Sequence, residues 1–119
     1  MRNLFLGETL DYFNELPAAI TICDTEGKII YLNEKAAEVF QDDGGYDLIG
    51  QNLFACHSNE SIEKIKSILK EEKPNSYSIE KDGKKKFIYQ TPFYENKILK
   101  GLIEFSFEIP FELPHFKRD

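Results

Sequence analysis

The 119-residue sequence has only two cysteines, no tryptophan, a single methionine and no long apolar run. Each shortage excludes something. Cys23 and Cys56 are too few for a disulfide framework and suit a reducing compartment. No stretch approaches the ~18 consecutive apolar residues of a membrane-spanning helix. The start, Met1-Arg2-Asn3-Leu4-Phe5-Leu6-Gly7-Glu8, has too short an apolar run for a secretory signal and soon turns acidic. The expected location is the cytoplasm. Positive charge is scarce too: 15 Lys and Arg stand against 21 Asp and Glu, for a formal net charge of -6. Nucleic acid and anionic membranes both require clustered cations, so neither is expected as a partner. The one basic run, Lys84-Lys85-Lys86, follows Asp82-Gly83 and reads as the solvated arm of a hairpin.

What is present suffices for one folded domain. Hydrophobic residues make up 41% of the chain, and 10 Phe and 6 Tyr supply large apolar areas for a core. Leu6, Leu10 and Phe13 fall at the spacing of one helical face before Pro17, which predicts a short amphipathic N-terminal helix over residues 1–16. Residues 18–24 and 28–32, parted by Thr25-Glu26-Gly27, read as a β-hairpin. Asn33 stands where an N-cap is needed for a helix containing Ala36, Val39 and Phe40. A longer helix over residues 58–72 places Ile62, Ile65, Ile68 and Leu69 on one face. Three strands follow, at 76–81, 86–93 and 98–109, with turns at Asp82-Gly83 and Glu95-Asn96. In the last of these, Leu99, Ile103, Phe105, Phe107 and Ile109 alternate with mainly polar residues, which predicts that they face the core. The middle strand has apolar residues on both sides, and its inner face is left open. Pro110 and Pro114 punctuate a C-terminal tail, 110–119.

This order of elements, with several local sequences, resembles a PAS domain over 17–109. The stretch from Ala19 to Asn33, followed by Ala36 and Phe40, looks like the family's opening hairpin and capping Asn. Tyr46-Asp47-Leu48-Ile49-Gly50-Gln51-Asn52, Lys81-Asp82-Gly83 and Lys100-Gly101-Leu102-Ile103 fit as well. Leu53-Phe54-Ala55-Cys56-His57-Ser58 is similar to a Cys-His-Pro segment of small free-standing bacterial PAS proteins, with Ser58 where proline is usual. The resemblance implies an α+β fold, a five-stranded antiparallel sheet with helices over one face. It also implies a pocket between the layers, which in relatives holds haem, flavin or a small metabolite. No segment matches the cysteine motif of the flavin photoreceptors, so a light-driven flavin adduct is not expected.

The expected site lies between the long helix and the sheet. Ile65 and Leu69 share the helix's buried stripe, and Ile103 and Phe105 lie on the apolar side of the last strand. Phe40 and Leu53 are added on the strength of the resemblance, with Tyr89 or Gln90 supplying orientation. Cys56 and His57 adjoin this cleft. A thiolate beside an imidazole is a nucleophile arrangement, but no acyl-transfer motif surrounds the pair and no catalytic constellation is legible, so an enzyme is not expected. Cys23, Cys56, His57 and His115 lack the paired spacings of a zinc site, so no protein-bound metal is expected. Haem is the exception, since one axial histidine, here His57, can hold its iron. Three readings stand: a signalling module that binds a small ligand or a protein partner and reports by association, with a homodimer expected; a haem sensor using His57; and a ligand-free dimerisation scaffold whose cleft is filled by its own side chains.

Overall fold

The structure, a computed structural model, describes residues 11–56 and 58–119, apart from the side chains of Ala55 and Cys56. Residues 11–14 are helical, in keeping with the expected N-terminal helix, whose Leu6 and Leu10 lie outside the described residues. The hairpin follows as β1 (Ala19–Asp24) and β2 (Ile29–Leu32). Its turn is held by Asp24, whose Oδ1 accepts from the backbone N–H of Glu26 and of Lys28, each at 2.9 Å.

Asn33 caps α1 (Glu34–Val39) as expected. The helix buries Ala36 and Ala37, whereas Val39, expected on the same face as Ala36, is 40% exposed. Two 3-10 turns, Gln41–Asp43 and Gly45–Leu48, lead to the short α2 (Leu53–Cys56). The long helix, α3 (Asn59–Glu71), begins at Ser58, whose hydroxyl accepts from the Ser61 N–H, and buries Ile65, Ile68 and Leu69.

The last three strands are β3 (Asn75–Lys81), β4 (Lys84–Glu95) and β5 (Ile98–Ile109). They are joined by two-residue hairpin turns, Asp82-Gly83 and Asn96-Lys97, whose four residues all have positive φ as the type I′ turn requires. The five strands form one antiparallel sheet in the order β2-β1-β5-β4-β3. Pro92 is tolerated inside β4 because β3 pairs only as far as Gln90, so no neighbour on that side needs its missing N–H.

The helices cover one face of the sheet. The core gathers Ala19, Cys23, Ile29, Leu32 and Leu102 from the strands with Ala36, Leu53, Ile65, Ile68 and Leu69 from the helices. Beyond Ile109 the chain has no regular element, and Phe111, Leu113 and Phe116 are exposed.

The pairing register corrects the expected orientation of β5. Leu102 is buried in the core under the helices, so Leu102, Glu104 and Ser106 look that way, while Ile103, Phe105, Phe107 and Ile109 stand on the opposite face. The same register settles β4. Ile88, Gln90 and Pro92 are buried toward the helices, and Phe87, Tyr89, Thr91 and Phe93 line the other side, where the Phe87 and Phe107 rings stand 5.7 Å apart.

Candidate functional site

Between helices and sheet lies a cavity of about 570 Å³. This volume falls within the usual ~300–1,000 Å³ of small-molecule sites. Its apolar wall comes from Cys23, Ile29 and Leu32 on the hairpin, Phe40, Leu48 and Leu53 around the short helices, Ile65 of α3 and Leu102 of β5. Asp43, Glu60, Ser61 and Lys64 also line it from the helical side.

The floor is polar for a reason visible in the strand register. Thr21 of β1 pairs with Glu104 of β5, Glu104 with Gln90 of β4, and Gln90 with Asn75 of β3. Residues in register share a face, so these four side chains form one row across four strands. All four line the cavity. Asn75 Nδ2 donates to Gln90 Oε1 at 3.0 Å, and Gln90 Nε2 donates to Glu104 Oε1 at 2.9 Å. Gln90 is buried, and both ends of its amide are engaged, which fixes its orientation and steadies the Glu104 carboxylate. Among the described residues no buried side-chain nitrogen or oxygen lacks a hydrogen-bond partner.

Two titratable groups at the wall are shifted. Burial pushes the Cys23 thiol up to about 11, with Asp24 and Glu104 adding to it against a backbone hydrogen bond from Leu102. A thiol so held stays protonated and is a poor nucleophile at neutral pH. The Tyr77 hydroxyl is raised as well, first by burial and then by the charge of Glu104.

Of the residues expected at the site, Phe40, Leu53, Ile65 and Gln90 do line the cavity. Leu69 is buried in the core beside them but does not line it. Tyr89, Ile103 and Phe105 are on the far face of the sheet, because each neighbours in sequence a residue that faces the cavity and strand side chains alternate. The Cys56 side chain and His57 lie outside the described residues, so the thiol-imidazole pair and the axial haem ligand fall there too. Sequence reasoning missed Thr21, Cys23, Asn75, Leu102 and Glu104. The legible signal was Gln90, a polar residue between Ile88 and Pro92 on one side of β4: antiparallel pairing from the Asp82-Gly83 turn leads to Asn75, whereas Glu104 stands opposite only because the register shifts between Phe93 and Tyr94, and a regular pairing from the second turn would have put Ile103 there. Among the described residues no His, Cys, Asp and Glu cluster suited to a metal ion occurs.

A five-stranded antiparallel sheet in this order, with helices on one face, is the architecture of a small α+β domain of the PAS fold. The family described as PAS fold matches residues 13–71, and the chain carries a PAS domain. No curated protein matches it. Among solved structures it is similar to the PAS domain of the histidine kinase ThkA, at 23% identity and a TM-score of 0.63 over 76% of this chain and 98% of that one. The Aer2 receptor of Vibrio cholerae, a dual PAS-heme oxygen sensor, is 18% identical at a TM-score of 0.61, over 78% of this chain and 95% of that one. The Vibrio cholerae VqmA dimer, described with LuxR-type receptors, is 18% identical at a TM-score of 0.67, over 87% of this chain and 51% of that one. These likenesses, to a domain of a histidine kinase and to two receptors, are likenesses of fold.

Proposed function

We propose that this chain is a cytoplasmic sensory module, not an enzyme, which takes a small organic molecule into the cavity and passes its occupancy on by association with a second copy or a signalling partner. The observation that carries this reading is the 570 Å³ space floored by the row Thr21, Glu104, Gln90 and Asn75. A purely structural interface between sheet and helices would close at core density, and a scaffold has no need of it. The polar row supplies orientation and the apolar wall supplies burial, the usual division of labour in such sites. For signalling, the ligand must favour one of two arrangements of sheet and helices, since equal affinity for both shifts nothing. The kinship of fold with a kinase PAS domain and a receptor dimer supports association as the output. Among the described residues no helix is long and apolar enough to cross a membrane.

The test is native mass spectrometry and an absorption spectrum of freshly purified protein, with two substitutions in one strand. Leu102→Phe, inside the cavity, should abolish retention of the co-purified or added small molecule at a stability cost of ~1–3 kcal/mol. Ile103→Phe, on the far face, should leave retention intact. Equal loss in both, or a wild-type protein that holds nothing, would refute the reading. A Soret band that vanishes in His57→Ala would instead identify the molecule as haem.

A further inference from the structure

The two helical walls of the cavity are held in different ways. The wall formed by residues 50–54 is stitched to the β1–β2 turn through the backbone. Gly50 N–H donates to Ile29 O at 2.7 Å, Ile29 N–H to Gln51 O at 2.9 Å and Leu53 N–H to Gly27 O at 2.7 Å, while Asn52 Nδ2 donates to Glu26 O at 3.2 Å. The Phe54 ring closes this seam against Gly27, where a Cβ would come within 2.7 Å of it. Opening that wall would break several hydrogen bonds at once and disturb the hairpin that carries Cys23 and Ile29.

The α3 wall is packed unevenly along its length. Ile68 and Leu69, in its last turns, are buried in the core and do not line the cavity. Glu60, Ser61, Lys64 and Ile65, in its first two turns, do line it, so those turns roof a space where the later ones rest on packed side chains. Of the residues that line the cavity, Asp43, Glu60, Lys64 and Tyr77 are exposed. Two of these four stand on the first two turns of α3, and the cavity therefore meets solvent there.

We propose that residues 59–65, the first two turns of α3, are the door of the cavity, lifting away from the sheet about a pivot at Ile68 and Leu69 to admit a small molecule and closing over it; this rests on the small-molecule reading above. A helix end with little packed beneath it opens at a lower free energy than a half anchored in the core. The closed door is held by the Ser58 cap, whose hydroxyl accepts from the Ser61 N–H at 3.3 Å. A bound molecule adds contacts under Ser61 and Ile65, so occupancy and closure favour each other. The ligand then selects the arrangement in which α3 is complete from its first turn.

The experiment follows binding of prodan, a neutral naphthalene dye that brightens in apolar surroundings, to the full chain by stopped-flow fluorescence. Leu102→Phe should abolish the signal and Ile103→Phe should leave it, which assigns the dye to the cavity. Ser58→Ala removes the cap from the free and the bound protein alike. Association and dissociation should both quicken ~3–10-fold while Kd stays within about twofold. Ser58→Asp, an equally good cap, should restore the original rates. Asn52→Ala, which loosens the opposite wall, should leave them unchanged. Saturating prodan should slow hydrogen exchange of the amides of residues 62–65 at least ~10-fold, with little effect on 69–72. Unchanged rates in Ser58→Ala, or an equal or larger acceleration in Asn52→Ala, overturns the door and leaves the cavity-binding reading in place. A dye that does not bind the wild-type chain, or binds Leu102→Phe equally well, counts against both.

Discussion

At the scale of single residues, Asn33 is the side chain on which most local structure converges. It is fully buried, and its amide makes four hydrogen bonds. Oδ1 accepts from Ile20 N at 2.9 Å and from Ala36 N at 3.0 Å, while Nδ2 donates to Phe13 O at 2.9 Å and to Ala18 O at 2.8 Å. One residue thereby caps α1, anchors β1 and holds the segment that precedes it. An amide has two lone pairs on oxygen and two donors on nitrogen, so no other side chain of this size meets the set. Asn33→Ala should cost about 2–4 kcal/mol, the sum of a lost cap and buried backbone groups left unpaired. Asn33→Ser, which restores only the cap, should recover about 1 kcal/mol of that. Urea denaturation of the two variants checks both figures, and an alanine variant of near wild-type stability would disprove the convergence.

Cys23 makes a second residue-scale prediction. Its thiol is raised from an ordinary 9.0 to about 11 in the folded chain, chiefly by burial. Between those values the unfolded chain has released a proton that the native state still holds, so rising pH favours unfolding. Stability from this group is complete below pH 9 and is lost as pH climbs to about 11, amounting to ~2–3 kcal/mol. Other groups titrate in this window, and comparison with Cys23→Ala isolates the thiol. The wild-type protein should lose stability more steeply than the variant between pH 9 and 11; parallel curves would show that the thiol is not desolvated as its burial requires.

At the scale of elements, nearly every helix and strand was legible because its start and stop are local chemistry. Asn33 and Ser58 announce their helices, Asp82-Gly83 demands a tight hairpin, and β5 was read with its observed ends, Ile98 and Ile109. What alternation alone does not carry is which side of a strand meets the helices. In β5 the more apolar side is Ile103, Phe105 and Phe107, and the usual rule sends that side to the core. Here the helix-facing side is Leu102, Glu104 and Ser106, because this stretch floors a cavity with polar needs. The far side is only half-covered, Phe107 being 36% exposed. The placement of Tyr89, Ile103 and Phe105 failed for this one reason, while Phe40, Leu53 and Ile65 succeeded because their placement did not depend on strand parity. Gly101 leaves no room for a side chain beside this pair: a Cβ there would run into the Cys23 carbonyl oxygen, and the next residue, Leu102, pairs with Cys23.

At the scale of the whole molecule, the segment ahead of β1 is tied to the sheet and helix layer by specific bonds. Phe13 O receives Asn33 Nδ2, and Asn14 Oδ1 receives the Tyr31 hydroxyl at 2.6 Å. Removing residues 1–15 deletes both acceptors, leaves half of the Asn33 amide's donor capacity unpaired, and should lower stability by about 1–3 kcal/mol whatever the oligomeric state. Association adds a separate signature. In a homodimer unfolding is coupled to dissociation, so the denaturation midpoint rises with protein concentration, whereas that of a monomer does not. The expected outcome is a midpoint that rises between about 1 and 100 μM for the full chain and is flat for the truncated one, with sedimentation mass falling from two subunits to one. A concentration-dependent midpoint in both would place the interface elsewhere, with the partly exposed aromatic face of β4 and β5 as the surface to probe by Phe107→Glu. A flat midpoint in the full chain would reject the homodimer and leave a different protein as the recipient of the signal.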